Sequence, residues 1–440
     1  MTRKLKIFFH MLDLVGPQNA CIGLGQVLLQ RGHQVYFLTK SDNRIGEKFS
    51  KYGFTVIAVG DEKEKTKEEV EIERMEELKM IQSFGLFKKQ STLENLKSVL
   101  NDEMSTMMHE VHQKQEPVIK ELIEKEKPDL IVSDSIGVCP PSLKYSGIPW
   151  VSIYCSNPLG LFKSKQLPPP TSGFPTYGSQ DGWEDYWVEY LKLHDDKFSI
   201  DHHHLLEMFN YPSEPFEITS PYLNIYQFPK ELDYTDVIQL PDTFVRVDAF
   251  CRDEISDYQL PEHFRNKFTS NDKLIYFSLG SIGNCNLDLL KRVISILGRT
   301  KYFCIISKGA FHDKIELPDN CYGENFLPQT KILPMVDLAI IHGGNNSLTE
   351  SFYFGKPVIV MPLFYDQFDN AQRVDEKGYG VRIDPYDFKD EYLIEVIEKL
   401  LNDQELNQKM KAISQRIQSD QSKLNACIRM EQLVIDNNDK

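Results

Sequence analysis

"LAIIHGGNNSLTESFYFG" (Leu338–Gly355) is the stretch from which the fold can be read. A run of four apolar residues ends at His342. Two glycines, two asparagines and a serine follow, and a helical pattern then begins. Buried strand, small-residue turn and helix start are the parts of a parallel α/β unit. They are also the parts of an anion site, because glycines let the backbone N–H groups at a helix N-terminus approach phosphate oxygens. His342, Asn346 and Ser347 add neutral donors. Glu350 fits either of two roles: accepting from vicinal ribose hydroxyls, as the acidic residue of a dinucleotide fold does, or complementing the helix dipole.

The same alternation extends in both directions. Upstream, "KLKIFF", "QVYFLT", "FTVIAV", "PDLIVSDSIG" and "IPWVSIYC" read as strands, with "ACIGLGQVLLQRG" as a helix closed by Gly32. Around the opening stretch, "KLIYFSLGS", "YFCIIS", "CYGENFL" and "PVIVMP" read as strands of a second parallel sheet. Two facing Rossmann-like domains with a cleft between them follow: residues 1–240, residues 241–410, and a C-terminal helix at 411–440 packing back on the first domain. A chain of 440 residues is long enough for two cores. The segment "DEKEKTKEEVEIERMEELKMIQ" reads as a solvated helix held by charge pairs, and "QLPPPTSGFPTYGSQDG" as a loop. Trp183, Tyr186, Trp187 and Tyr190 share a helix face that is either core or the wall of an apolar pocket. The consecutive His202, His203 and His204 fan around a helix and are expected at the surface. A linker is expected within "VRVDAFCRDEISDYQLPEHF".

A net charge of −15 argues against a nucleic-acid footprint and against docking on an anionic leaflet. Eight scattered cysteines, without a CxxC pair, read as reduced thiols rather than zinc ligands or disulfides. Lys6 and His10 break the first apolar run short of a signal peptide, and no stretch has the length of a membrane span. The expectation is a cytoplasmic protein, a monomer, with no metal and no membrane contact.

Beyond the opening stretch the spacing becomes specific. Pro328-Gln329, His342-Gly343-Gly344, Asn346-Ser347, Glu350, Gly355, Pro357, Pro362 and Asp366-Gln367 together resemble the donor-binding signature of the inverting UDP-glycosyltransferases. Weaker similarity covers "RGHQVYFLT", "IVSDS" and "FSLGS". Without a signal peptide or membrane tail, the chain is similar to the soluble plant, bacterial and mite members, and "NACIGLG" to mite members in particular. The resemblance implies a GT-B fold and a UDP-sugar donor, most simply UDP-glucose, with no permanently bound cofactor. Phe326, where the family carries tryptophan, would stack on uracil; Gln329 and the Leu327 backbone would contact the nucleoside; Glu350 would bind the ribose. His342, Gly344, Asn346, Ser347 and Ser281 would hold the diphosphate, and Asp366 and Gln367 the sugar hydroxyls. Gln367 brings no cation to the sugar, which favours glucose over glucuronate. The acceptor implied is a small lipophilic molecule such as a phenol or flavonoid, in a detoxification role.

In this family a histidine in the loop after the first strand deprotonates the acceptor, oriented by an aspartate that corresponds to Asp134. Here Pro17 stands at the histidine position, and proline has neither base nor donor. Three routes remain open. Asp134 acts directly on an acidic acceptor; His10 or Asp13 substitutes; or the acceptor is an amine that sheds its proton after attack. The rival reading is a UDP-sugar binder that does not transfer. An epimerase of the same two-domain fold is disfavoured by the Glu350 and Asp366-Gln367 spacing.

Overall fold

The computed structural model describes residues 3–39, 43–59, 66–134 and 139–438. Ser135, which follows the fourth strand, and residues 61–65 of the charged segment lie outside these residues. The chain builds two wholly parallel sheets. The first holds β1 (Lys6–His10), β2 (Gln34–Thr39), β3 (Thr55–Ala58), β4 (Leu130–Asp134), β5 (Trp150–Tyr154), β6 (Leu223–Gln227) and β7 (Phe244–Val247) in the order β3-β2-β1-β4-β5-β6-β7. The second holds β8 (Leu274–Ser278), β9 (Phe303–Ser307), β10 (Cys321–Glu324), β11 (Leu338–Ile341), β12 (Val358–Val360) and β13 (Gly380–Arg382) in the order β10-β9-β8-β11-β12-β13. Strands such as LAII and VIV are apolar throughout because helices cover both faces of a parallel sheet.

Each order reverses direction once, at β1/β4 and at β8/β11. Such switch points open a crevice beyond the carboxyl ends of the strands, where ligands bind. His10 and Asp134 end β1 and β4, with His10 in register with Ser133. Ser278 and Ile341 end β8 and β11, also in register. The candidate residues therefore gather at two crevices, and contacts across the domains join these: the Asn345 amide donates to the Ser156 and Gln227 carbonyls at 3.0 Å each.

The boundary expected at 240/241 precedes β7, which lies at the edge of the first sheet. Beyond it, the helix Ser422–Asn438 returns to the first domain. Ala426, Cys427, Met430 and Val434 join that domain's core, and Glu431 accepts from Arg31 and from His33. No helix among the described residues is long and apolar enough to cross a membrane.

The charged segment forms the helix Lys67–Ser83, closed at its start by a Thr66/Glu69 capping box. Gly32 ends the helix Val15–Gln30 in a left-handed conformation, as its position predicts. Trp183, Tyr186, Trp187 and Tyr190 are buried; the last three pack with Leu96 as core, so this face is not an open pocket wall. The surface reading of the histidine triplet needs correction. His203 and His204 are exposed, but His202 is 0% exposed because its side of the helix Asp196–Met208 faces Phe216.

Candidate active site

The turn after β11 is shaped by the close approach of two backbones to one ring. A Cβ on Gly280 would lie 2.5 Å from His342 Cε1, and one on Gly344 2.5 Å from His342 Nε2. Only glycine fits at either position, so the imidazole is held between the two loops. Burial lowers its pKa to about 4 and keeps it neutral. Its Nδ1 has no partner among the described residues. The helix Asn345–Tyr353 then starts at Gly344 with no side-chain cap and no acidic residue in its first turn. The helix Val15–Gln30 likewise starts at Leu14 with no side-chain cap and no first-turn acid. Asn346 Nδ2 donates to the Gly16 carbonyl at 2.6 Å, so the two uncapped N-termini meet. Two helix dipoles thus direct positive potential into one cleft without a lysine or arginine cluster.

Glu350 is buried at the base of the turn. Its Oε1 lies 3.1 Å from Arg252 Nη1, and its Oε2 accepts from Gln329 Nε2 at 2.6 Å. Burial pushes its pKa up, and Arg252 is the strongest opposing influence. Gln329 also lies 3.3 Å from the Ser347 hydroxyl and accepts from the Tyr276 hydroxyl. Phe326 is 63% exposed and open to stacking, while Leu327 is buried. The structure thus brings His342, Gly344, Asn346, Ser347, Glu350 and Gln329 together.

The remaining expected donor contacts have surroundings of their own. Ser281 is exposed. Asp366 is half-buried and accepts from the Asn157 backbone at 2.9 Å. Gln367 spends its amide oxygen on the Leu363 and Phe364 backbone N–H groups, fixing the turn before its helix. Its Nε2 has no partner among the described residues.

Across the cleft, Asp134 is fully buried, and burial lifts its pKa to about 7. The Leu12 amide and the Cys155 thiol pull it partly back, but neither makes a well-directed bond to the carboxylate. Burial, with the neighbouring His112, lowers the pKa of His10 to about 4. Asp13 accepts from the Thr39 hydroxyl at 2.6 Å. Pro17 is buried within the first turn of the helix Val15–Gln30.

Several site residues escaped sequence reading. Arg252 sits in the expected linker, where an arginine among acids reads as solvated. Gln227, at the end of β6, bonds Asn346. Asn370 donates to the Gly343 carbonyl. His109 and His112, on the helix Asp102–Glu126, both bond Asp201. No chain-local signal marks these pairs, because their partners are distant in sequence. Among the described residues no group of three or more His, Cys, Asp or Glu is arranged to hold a metal ion.

Residues 240–423 match the family model described as UDP-glucoronosyl and UDP-glucosyl transferase. A sterol 3-beta-glucosyltransferase of Candida albicans is 29% identical over 213 residues, 45% of this chain but only 14% of that protein. An uncharacterized UDP-glucosyltransferase of Bacillus subtilis, YdhE, is 25% identical over 321 residues, 72% of this chain and 75% of its own. Among solved structures, the spinosyn forosaminyltransferase SpnP superposes with a TM-score of 0.68 at 18% identity, over 98% of this chain and 100% of its own. That last likeness is one of fold: two Rossmann-like domains.

Proposed function

From the match of residues 240–423 to the UDP-glucoronosyl and UDP-glucosyl transferase family model, we propose that the chain is an inverting UDP-glycosyltransferase. It moves glucose from UDP-glucose to the hydroxyl of a small lipophilic acceptor, most suitably a phenol. The observation that carries this reading is the meeting of two uncapped helix N-termini beside buried Glu350. That arrangement suits a diphosphate next to a ribose.

The acceptor oxygen attacks the anomeric carbon as the bond from that carbon to the diphosphate oxygen breaks. The sugar inverts, and UDP leaves with its added charge stabilised by the helix N-termini, His342 and Ser347. The acceptor proton passes to Asp134. A carboxylate with a pKa of about 7 is a far better proton acceptor than an ordinary aspartate, and better than His10 at about 4. A phenol, already acidic, asks least of such a base.

Pro17 favours a second reading, a UDP-sugar binder that does not transfer. The two are separated by incubating the chain with UDP-glucose and panels of phenols, alcohols and amines, then measuring product mass and anomeric configuration. A β-linked phenolic glucoside supports the transferase. Tight UDP binding with no product from any acceptor supports the binder, and products confined to amines assign N-transfer.

A further inference from the structure

The segment after β7 crosses the face of the first domain at very short range. A Cβ on Gly23 would lie 1.8 Å from the Phe250 carbonyl oxygen, so the helix Val15–Gln30 tolerates only glycine there. The Phe250 N–H is fixed in turn by Gln227 Oε1 at 2.9 Å. Two residues on, Arg252 enters the protein with its side chain 4% exposed, facing a Glu350 side chain 6% exposed. An arginine this deep needs its charge answered. Two carboxylates do so: Nη1 lies 3.1 Å from Glu350 Oε1, and Nη2 3.1 Å from Glu254 Oε2. Glu254 also accepts from the Tyr52 hydroxyl of the first domain at 2.8 Å. A continuous polar chain therefore runs from Tyr52 through Glu254, Arg252 and Glu350 to Gln329.

We propose that Arg252 is a positioning residue for donor binding: it aims the Glu350 carboxylate at the ribose diol and ties that carboxylate to the N-terminal domain. This rests on the UDP-sugar reading above. The hydrogen bonds leave the carboxylate acceptor capacity for a ligand. An ionised carboxylate has about four acceptor sites; Arg252 and Gln329 take one each, leaving places for two vicinal hydroxyls. Two fixed partners on separate oxygens also leave the carboxylate little freedom to rotate. Nothing in the charge of the turn itself performs this task, since the first turn of its helix carries no ionisable group.

The test is calorimetry of UDP and of 2′,3′-dideoxy-UDP on the full chain, wild type against Arg252→Ala, Arg252→Lys and Glu254→Gln. Losing an aimed, charge-assisted acceptor should weaken UDP by about 10–100-fold in Arg252→Ala. The dideoxy nucleotide, which offers no diol, should weaken by less than about 3-fold. Arg252→Lys should recover part of the loss, having the charge but not the fork. Equal weakening of both nucleotides, or no weakening of either, overturns the proposal. Should Arg252→Ala fold poorly, Glu254→Gln decides. It frees one side of the guanidinium, and must narrow the preference for UDP over dideoxy-UDP if the proposal holds. A wild-type chain that binds neither nucleotide would instead sink the underlying UDP-sugar reading.

Discussion

The two switch-point crevices are built on the same strand order yet prepared to different degrees. At β8/β11 the side chains of the helix start have partners, although His342 Nδ1 has none among the described residues: Asn346 holds Gly16, Ser347 holds Gln329, and Glu350 holds Arg252 and Gln329. At β1/β4 the groups are buried but poorly held. Among the described residues, Asp134 has no well-directed hydrogen bond and His10 Nδ1 has none. Preorganised donors stabilise a leaving group without further rearrangement, whereas a general base must be aimed at a proton. On the proposed reading, one crevice is largely prepared by the protein alone, and the other is completed by the acceptor.

The strongest way to break this contrast is Asp134→Asn. We expect transfer to fall by about 100-fold or more, because the proton has no other good acceptor. UDP affinity should change by less than about 2-fold. Retained turnover in single-turnover assays would remove Asp134 from the chemistry. The same variant carries a stability signature. A folded pKa near 7, against an ordinary 3.8, means that the fold favours the protonated form. That stabilisation is complete below pH 3.8 and lost as pH rises towards 7. Asparagine does not ionise, so in thermal melts the variant should gain on wild type across this window, by about 4 kcal/mol at most.

Next in size is Gly280→Val. Its side chain would strike the His342 ring and should weaken UDP by about 10-fold, measured by calorimetry, through loss of one donor. Unchanged affinity would show that the ring does not touch the diphosphate. Pro17→His addresses the unfinished side. Restoring a base should speed transfer to alkyl alcohols by about 10-fold and to phenols much less, since phenols ionise unaided. An equal gain for both would point to packing rather than proton transfer. The smallest effect belongs to Phe326→Trp. A larger stacking ring at this exposed position should tighten UDP by about 2–5-fold, and no gain in a titration would place uracil elsewhere.

Much of the donor crevice was legible because its parts lie within one strand–turn–helix unit and its flanks. Residues His342 to Glu350 are neighbours in sequence, so spacing alone fixes how they share a turn. Asp366 and Gln367 were legible as positions but not as partners: Asn157 reaches Asp366 from the other domain, and Gln367 turns back on the adjacent Leu363–Phe364 backbone. His202 was misread because a run of three histidines has no hydrophobic period to reveal which face is buried.

The sequence by itself determined two parallel α/β units, the anion turn at Leu338–Gly355 and the absence of a histidine where Pro17 stands. These follow from apolar periodicity, glycine placement and residue identity, all properties of adjacent residues. Only the tertiary structure decided that a second uncapped helix faces the turn, that Asp134 is lifted to about 7, and that Arg252 pairs with Glu350. Burial and ion pairing depend on groups brought together across the whole chain. No local pattern records which of them will meet.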